Sequence, residues 1–439
     1  MSTMTAAAPN PPKQKKARIV GVDTARGLAI IGMFIAHLGL ERSTELFSTT
    51  GWFWIADGRS SALFATLAGA GLAFMTKRAY ASGEVAEYAT QRSRLLKRSA
   101  ILLVFGWLLT ALLTPVAVIL GAYALLFVLA IPFLRMRPTA LLASAGVVAL
   151  VMPTLVLISR YALLGATSPH EYAYESAGQI ALVIPVVADL WSGYYPALSW
   201  LLYILVGLAI GRMPLRRWTT QIGLLLGGAF VAAAGYLPGL ALERSTTGLV
   251  QDLVTIEPHA DTSFEMLGNV GVAVAVLGLC LLLTTAITPI RIALTPVSAM
   301  GAMSLTVYSA HIVVIRILML VWGADVVFNP ASNWPLIWLT VGAMAFATIW
   351  QLTLGQGPLE RLLQRMIRPR QRPAPPPWPP QGPQPQTWAQ QGQQPHPWPA
   401  QDQHAAPWPP QPQQPTPGPY GPPNPQPPGP YQQQPPPRL

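Results

Sequence analysis

Charge is what this 439-residue chain lacks most: 10% of its residues are charged, while 51% are hydrophobic. Soluble globular domains carry about 25% charged residues. An ordinary water-facing surface is therefore excluded, and lipid is the expected solvent of the folded part. Cysteine is nearly absent. Cys280 stands alone in an apolar run, which excludes a disulfide framework within the chain and a cysteine metal cluster. There is no zinc-ligand spacing and no RNA-binding aromatic motif, so neither a metal nor nucleic acid is expected. The formal charge of +11 does not argue otherwise. Basic residues fall in short clusters between apolar runs, as at Lys77, Arg78, Arg92, Arg94, Lys97 and Arg98, the distribution of a membrane topology signal. No A-x-A-like cleavage site cleanly follows the first apolar run, which reads as a retained helix behind Lys13, Lys15, Lys16 and Arg18.

What is present is a succession of apolar runs. A helix needs about 20 mostly apolar residues to cross a bilayer. The expected spans are 22–41, 54–76, 97–114, 116–134, 139–159, 194–212, 219–238, 266–288, 298–322 and 334–354. The fold class expected is all-α, a polytopic membrane protein with about ten transmembrane helices. The apolar stretch 178–190 reads as a short interfacial or re-entrant helix, because counting it as a span breaks the alternation of loop charge. Basic connections (the lead, 77–98, Arg135 and Arg137, Arg212 to Arg217, Arg291, and the segment after 360) alternate with loops carrying Glu41, Glu45, Glu171, Glu175, Asp189, Glu243, Asp252, Glu257 and Asp325. The positive-inside rule then places both termini in the cytoplasm of a plasma-membrane protein.

Three regions follow: a flexible cytoplasmic lead over 1–17, a transmembrane domain over 18–368, and a tail over 369–439. The tail has 28 prolines in 71 residues. It cannot bury enough apolar area to fold and is expected to be disordered and partly polyproline II. Trp378, Trp388, Trp398 and Trp408 recur every ten residues within it. Two readings stand: a low-complexity tail that drifted by repeat expansion, or a multivalent strip that docks a cytoplasmic protein partner. Two outside loops are long, near 160–193 and 239–265. The second contains Glu257 to Glu265, a polar stretch that either caps the next helix through Asp261, Thr262 or Ser263 or contacts substrate, with Glu265 among the contacting groups.

Ionisable groups inside a bilayer are costly and therefore informative. In the first span Asp23 and Arg26 are three apart and share a helix face. Arg26 and His37 are eleven apart, within about 20° of one face and roughly 16 Å apart along the axis. A cation near the inner surface can hold a phosphate-rich donor, and an imidazole deeper in can act as general base on a hydroxyl or amine from the other side. The plainer alternative is that Arg26 snorkels to the interface and His37 is a hydrogen-bonded packing residue. In the ninth span Ser304, Tyr308 and His311 share a face. His311 is either a second group for proton chemistry or a structural one. At the start of the second span, Asp57 and Arg59 sit beside Trp52 and Trp54, which reads as an interfacial ion pair with an aromatic belt.

These residues carry a resemblance. Arg18-Ile-Val-Gly-Val-Asp23-Thr-Ala-Arg26-Gly27 resembles the opening signature of the transmembrane acyltransferase superfamily, which includes heparan-α-glucosaminide N-acetyltransferase-like proteins, the DUF418 and DUF1624 families and the acyltransferase-3 family. Arg26 and His37 are similar to the arginine, ten residues, histidine arrangement of the acyltransferase-3 branch. Gly58 to Gly69 resembles the second-helix motif, and Gly301 to Tyr308 with Gly357-Pro358-Leu359-Glu360 the late motifs of the DUF418 branch. The resemblance implies transfer of an acyl group from cytosolic acyl-CoA, as donor substrate, to an acceptor across the membrane. His37 is then the base or acyl-accepting histidine, Arg26 faces the CoA phosphates, Asp23 orients Arg26, and Asp57 and Arg59 line the acceptor side. The glucosaminide branch has a reactive histidine just before its second helix; Leu46-Phe47-Ser48-Thr49 has none here. Proline- and alanine-rich composition fits a cell-envelope protein and makes envelope glycans or glycolipids the acceptors expected. Two other functions remain open at this point: a catalytically silent scaffold for envelope biosynthesis, and a transporter of lipid or sugar intermediates, for which no inverted repeat is evident.

Overall fold

The computed structural model describes residues 18–39, 53–164, 185–328 and 333–367. The lead, the loop with Glu41, Glu45 and Trp52, residues 165–184 with Glu171 and Glu175, and the tail with its tryptophan repeat lie outside the described residues. Among the described residues every regular element is helical. Helices α1 (Val20–Leu38), α2 (Arg59–Ser82), α3 (Val85–Thr110), α4 (Leu120–Leu129) and α5 (Pro138–Leu164) are followed by α6 (Ala197–Ile210), α7 (Trp218–Ser245) and α8 (Ser263–Ala286). Then come α9 (Thr295–Ala302), α10 (Ser304–Trp322), α11 (Trp334–Thr353) and the amphipathic α12 (Pro358–Ile367).

Each expected span contains helix, but the lengths differ from expectation. Among the described residues six helices are long and apolar enough to cross a membrane: α1, Pro138–Ser159 of α5, α7, α8, α10 and α11. The chain is thus a multi-pass membrane protein by length and composition. The fourth expected span holds only the ten residues of α4 and a 3-10 turn over Ile131–Arg135. The sixth holds the 14 residues of α6, nearly all of them buried. A short helix that is apolar on every side is a core helix, shielded by its neighbours instead of by lipid.

The expected basic loop 77–98 is not a loop. α2 runs through Lys77 and Arg78 to Gly83, whose φ of +70° ends it while its N–H returns to the Ala79 carbonyl. α3 starts two residues later and carries Arg92 to Arg98 in its first half. Lys and Arg are good helix formers, so the backbone stays hydrogen-bonded while the charges project from it. An Arg78–Glu87 ion pair of 2.9 Å ties the two helices at this turn. The expected ninth span is also broken, at Met303 between α9 and α10. The long 239–265 loop is largely helical, since α7 extends to Ser245 and a further turn covers Leu249–Val254.

Packing relies on close backbone approach, the usual means by which helices associate in lipid. At the crossing of α2 and α6, a Cβ on Gly69 would lie 2.2 Å from the Ile204 carbonyl oxygen, and one on Gly207 would lie 1.9 Å from that of Thr66. Gly71, two residues along, meets nothing within 4 Å and has no such role.

Candidate functional site

One end of the bundle is organised by α1, α9, α10 and α12. Asp23 is buried, accepts from Arg26 of the next turn at 3.2 Å and forms an ion pair with Arg18 at 3.3 Å. The pair read from the three-residue spacing is present. Arg26 also donates to the Gly301 carbonyl at 3.4 Å, and Arg18 to that of Ala302 at 3.3 Å. These bonds use the C-terminal carbonyls of α9, which the break at Met303 leaves without helical partners. The break also lets α1 and α9 touch backbone to backbone. A Cβ on Gly301 would fall 1.8 Å from the Asp23 carbonyl oxygen, and one on Gly27 would fall 2.0 Å from that of Val297.

The other side of the break is the N-terminus of α10, and Glu360 caps it. Its Oε1 accepts from the Leu305 and Thr306 amides at 2.8 and 3.1 Å, and its Oε2 from the Thr306 hydroxyl at 2.6 Å. The Thr306 hydroxyl accepts in turn from the Leu359 amide at 3.1 Å. A carboxylate at a helix N-terminus meets both orphan N–H groups and the positive end of the helix dipole. The two late motifs are therefore two halves of one clamp. Ser304 sits part-buried beside it in the first turn of α10.

Further along α10 lie Tyr308 and His311, each 1% exposed. The Tyr308 hydroxyl accepts from the Ile119 amide at 3.1 Å, capping the start of α4. That bond gives Tyr308 a structural task. His311 stacks on His37 of α1 with ring centroids 5.7 Å apart and planes 7° apart, and the Phe34 ring, also of α1, lies 5.0 Å away and tilted by 42°. The two histidines, 274 positions apart in sequence, thus form one pair in the bundle interior. Neither ring nitrogen of His311 has a hydrogen-bond partner among the described residues; the Val307 and Tyr308 carbonyls one turn back interact with the ring without meeting hydrogen-bond geometry.

Arg98 of α3 was legible only as part of a topology signal. Its guanidinium lies 5.9 Å over the Phe127 ring of α4 and contacts the Met75 sulfur at 3.8 Å, and its Nε is buried without a hydrogen-bond partner. It lies within electrostatic reach of Arg26 and Glu360. Glu360, committed to the α10 terminus, is the carboxylate within that reach. Arg98 is itself part-buried, and a cation turned inward is a costly arrangement in lipid. Ser99 Oγ and Tyr123 Oη are also buried without hydrogen-bond partners among the described residues. Among the described residues no cluster of three metal-ligating side chains occurs.

The opposite end of the bundle holds Asp57, Arg59 and Glu265. Asp57 is buried in the turn before α2, followed by Gly58 at φ +63°. Arg59 reaches Asp57 through the backbone carbonyl, at 3.2 Å, not the carboxylate expected of an ion pair, and donates to the Trp54 carbonyl at 3.0 Å. Its guanidinium lies between the Trp54 and Tyr236 rings, 5.1 and 5.0 Å from their centroids. Glu265 is a capping residue. Thr262 is the N-cap of α8, its hydroxyl accepting from the Glu265 amide at 3.1 Å. The Glu265 carboxylate accepts from the His259 and Asp261 amides and from Asn269 at 3.0, 2.9 and 2.8 Å. With three donors on a side chain 3% exposed, Glu265 stabilises a loop in which His259 and Asp261 adopt positive φ. Asp261 secures the same loop to α6 by accepting from Trp200 Nε1 at 2.8 Å.

Comparison with known families returns two matches. The family described as heparan-alpha-glucosaminide N-acetyltransferase, catalytic, matches residues 18–236. Protein of unknown function DUF418 matches residues 216–369. His37, Arg26 and Arg98 lie in the first match, His311 and Glu360 in the second, and the stacked histidines join the two. No curated protein matches the chain.

Proposed function

The chain belongs to the heparan-α-glucosaminide N-acetyltransferase-like and DUF418 transmembrane acyltransferase superfamily, and we propose that it moves a short acyl group from cytosolic acyl-CoA to an envelope glycan or glycolipid on the far side of the membrane. The observation that carries this reading is the parallel contact between His311 of α10 and His37 of α1, the helix that also bears the Asp23-held Arg26. In the proposed topology of about ten spans with cytoplasmic termini, Arg26 and Arg98 face the cytoplasm and hold the donor phosphates. Asp57 and Arg59 face the acceptor.

The chemistry needs one proton acceptor near the thioester. An acceptor hydroxyl or amine gives its proton to His37 as its oxygen or nitrogen attacks the thioester carbonyl. The new C–O or C–N bond forms, the C–S bond breaks, and the departing thiolate takes the proton back from the imidazolium. Two cations 5.7 Å apart repel strongly in a low-dielectric interior, so the pair carries one proton at a time. His311 serves as the neutral partner against which His37 is oriented. A general base of this kind contributes about 10²–10⁴-fold.

The test uses the full chain in lipid nanodiscs with labelled acetyl-CoA and an extract of envelope glycolipids and glycans. His37→Ala is expected to lower transfer by about 10²–10⁴-fold with unchanged helical content, and mass spectrometry of envelopes from depleted cells to show a missing acyl group. Wild-type transfer by His37→Ala would refute it. A catalytically silent scaffold is the second reading, carried by the absence of histidine at 46–49. It predicts that deleting 369–439 harms cells more than His37→Ala does.

A further inference from the structure

Helix α12 has an apolar face wider than its neighbours cover. Leu359, Leu362, Leu363, Met366 and Ile367 recur at the spacing of one helix face. α12 packs against α3 and α10, and Leu363 is buried at 4% exposure. Leu362 and Met366, on the same face, stay 42% and 53% exposed. They lie one turn apart and form a continuous apolar edge beside the packed one. Arg365 flanks that edge, about 60° round the helix from Leu362.

The same helix is tied to the ends of α10 and α11, both long and apolar enough to span a membrane. Glu360, in its first turn, bonds the Leu305 and Thr306 amides at the start of α10. Trp350, in the last turn of α11, donates to the Gln356 carbonyl at 3.0 Å, and Arg361 donates to the Leu354 carbonyl just past the end of α11. These bonds set α12 level with the boundary where α10 and α11 leave the hydrocarbon. The charge that continues from it is basic. After Glu360 the sequence runs to Asp402 without an acidic residue and carries Arg361, Arg365, Arg368, Arg370 and Arg372, the last three outside the described residues. α3, packed beside α12, leaves Arg92, Arg94 and Lys97 exposed.

We propose that α12 is an interfacial helix that binds acidic phospholipid: Leu362 and Met366 enter the acyl region, and Arg365, with the exposed basic groups of α3, holds the headgroup phosphates. An amphipathic helix at a membrane boundary buries its apolar face about 5–10 Å deep. Each basic residue near an acidic surface adds about fivefold in affinity. A neutral lipid meets the apolar edge but leaves the cations without counter-charge. A soluble acidic protein meets the cations but has to displace lipid from an edge already at its depth. Because Glu360 is on the same helix, bound lipid also steadies the clamp on α10. The inference does not depend on the acyl-CoA reading.

Two measurements on the full chain test it. In neutral detergent, the wild-type chain is expected to bind phosphatidylglycerol more tightly than phosphatidylcholine of the same acyl chains, with the preference shrinking at high salt. Arg365→Gln is expected to weaken phosphatidylglycerol binding about fivefold and to leave phosphatidylcholine binding unchanged. Gln364→Ala, on the far side of α12 from the exposed edge, should change neither, and inorganic phosphate at equal ionic strength should not compete. Equal wild-type affinity for the two lipids, unchanged phosphatidylglycerol binding in Arg365→Gln, or competition by free phosphate overturns the proposal. In nanodiscs, a fluorophore on Met366→Cys, in a chain carrying Cys280→Ser, reports what covers the edge. Quenching by a lipid-borne nitroxide is expected. Quenching only by a water-soluble agent places the edge in water, and quenching by neither places it under the chain's own tail or a second copy; either result overturns the proposal.

Discussion

Replacing Glu360 tests whether the clamp between the two late motifs holds α10, and with it His311, in place. Glu360→Ala removes three bonds at once and strands the Leu305 and Thr306 amides. Bonds to a charged acceptor are worth about 1.5–3 kcal/mol each, and a partner left buried and unpaired adds to the loss. Water reaching this end of the bundle returns part of it, and the expected cost is about 3–5 kcal/mol. Glu360→Gln is milder. One oxygen still accepts from both amides, but an NH₂ group now faces the Thr306 hydroxyl. The Thr306 O–H then loses the carboxylate oxygen that accepted from it and must turn away from the new NH₂, so about 1–2 kcal/mol is lost. For a domain of this size, extrapolation gives about 1–2 °C per kcal/mol, hence falls of about 5 °C for Ala and about 2 °C for Gln. The chain supplies its own reporter, because Cys280 is the single cysteine and is buried at 3% exposure. A thiol-reactive fluorophore reads unfolding directly. Equal midpoints for Ala and Gln, or a shift under about 1 °C for Ala, would refute the clamp.

Two further predictions address other parts of the fold. Gly301→Ala places a methyl group 1.8 Å from the Asp23 carbonyl oxygen, so α1 and α9 must separate; overpacking costs about 1–3 kcal/mol, and the same fluorophore midpoint should fall, whereas Gly71→Ala, which meets nothing within 4 Å, should leave it unchanged. Asp189 lies outside the spanning helices with its carboxylate over Gly121 of α4, and burial raises it from 3.8 to about 7. A carboxyl raised in the folded state contributes stability that is full below its unfolded value and lost as pH rises through the folded one. The window is therefore about pH 4–7, the ceiling about 4 kcal/mol, and partial exposure brings it to about 1–2 kcal/mol. Asp189→Asn should flatten the decline in midpoint between about pH 4 and 7, and an unaltered profile would count against this placement.

Local spacing carried some of this site and could not carry the rest. Asp23 and Arg26 were readable because three residues along a helix fix a shared face regardless of what packs there. The cap at Thr262 was readable for the same reason, since a cap acts within one turn. The His37–His311 contact depends on which of many apolar helices lies beside α1, and nothing within either helix encodes that choice. Arg98 was misread for a related reason. A basic residue at a helix end looks the same from sequence whether it faces water or turns inward over Phe127. Glu265, Tyr308 and Glu360 show the converse. Polar residues near a membrane look functional by default, yet each completes hydrogen bonds for a helix terminus that lipid cannot satisfy. The 77–98 connection and the interrupted ninth span were misjudged because hydropathy reports the environment of side chains and not the continuity of the backbone.

These structural roles sharpen where chemistry belongs. Glu360 and Tyr308 hold the starts of α10 and α4, Glu265 and Thr262 hold the start of α8, and Gly27 and Gly301 let α1 and α9 meet. Each has a partner that explains it without any ligand. Tyr123 and His311 differ: among the described residues the Tyr123 hydroxyl and both His311 ring nitrogens are buried without a hydrogen-bond partner. Apolar residues of the same shape would pack at lower cost. The parallel contact of His311 with His37, on the α1 that also carries the Asp23-held Arg26, is the physical ground for proposing transfer there instead of in the more conspicuous polar loop around Glu265.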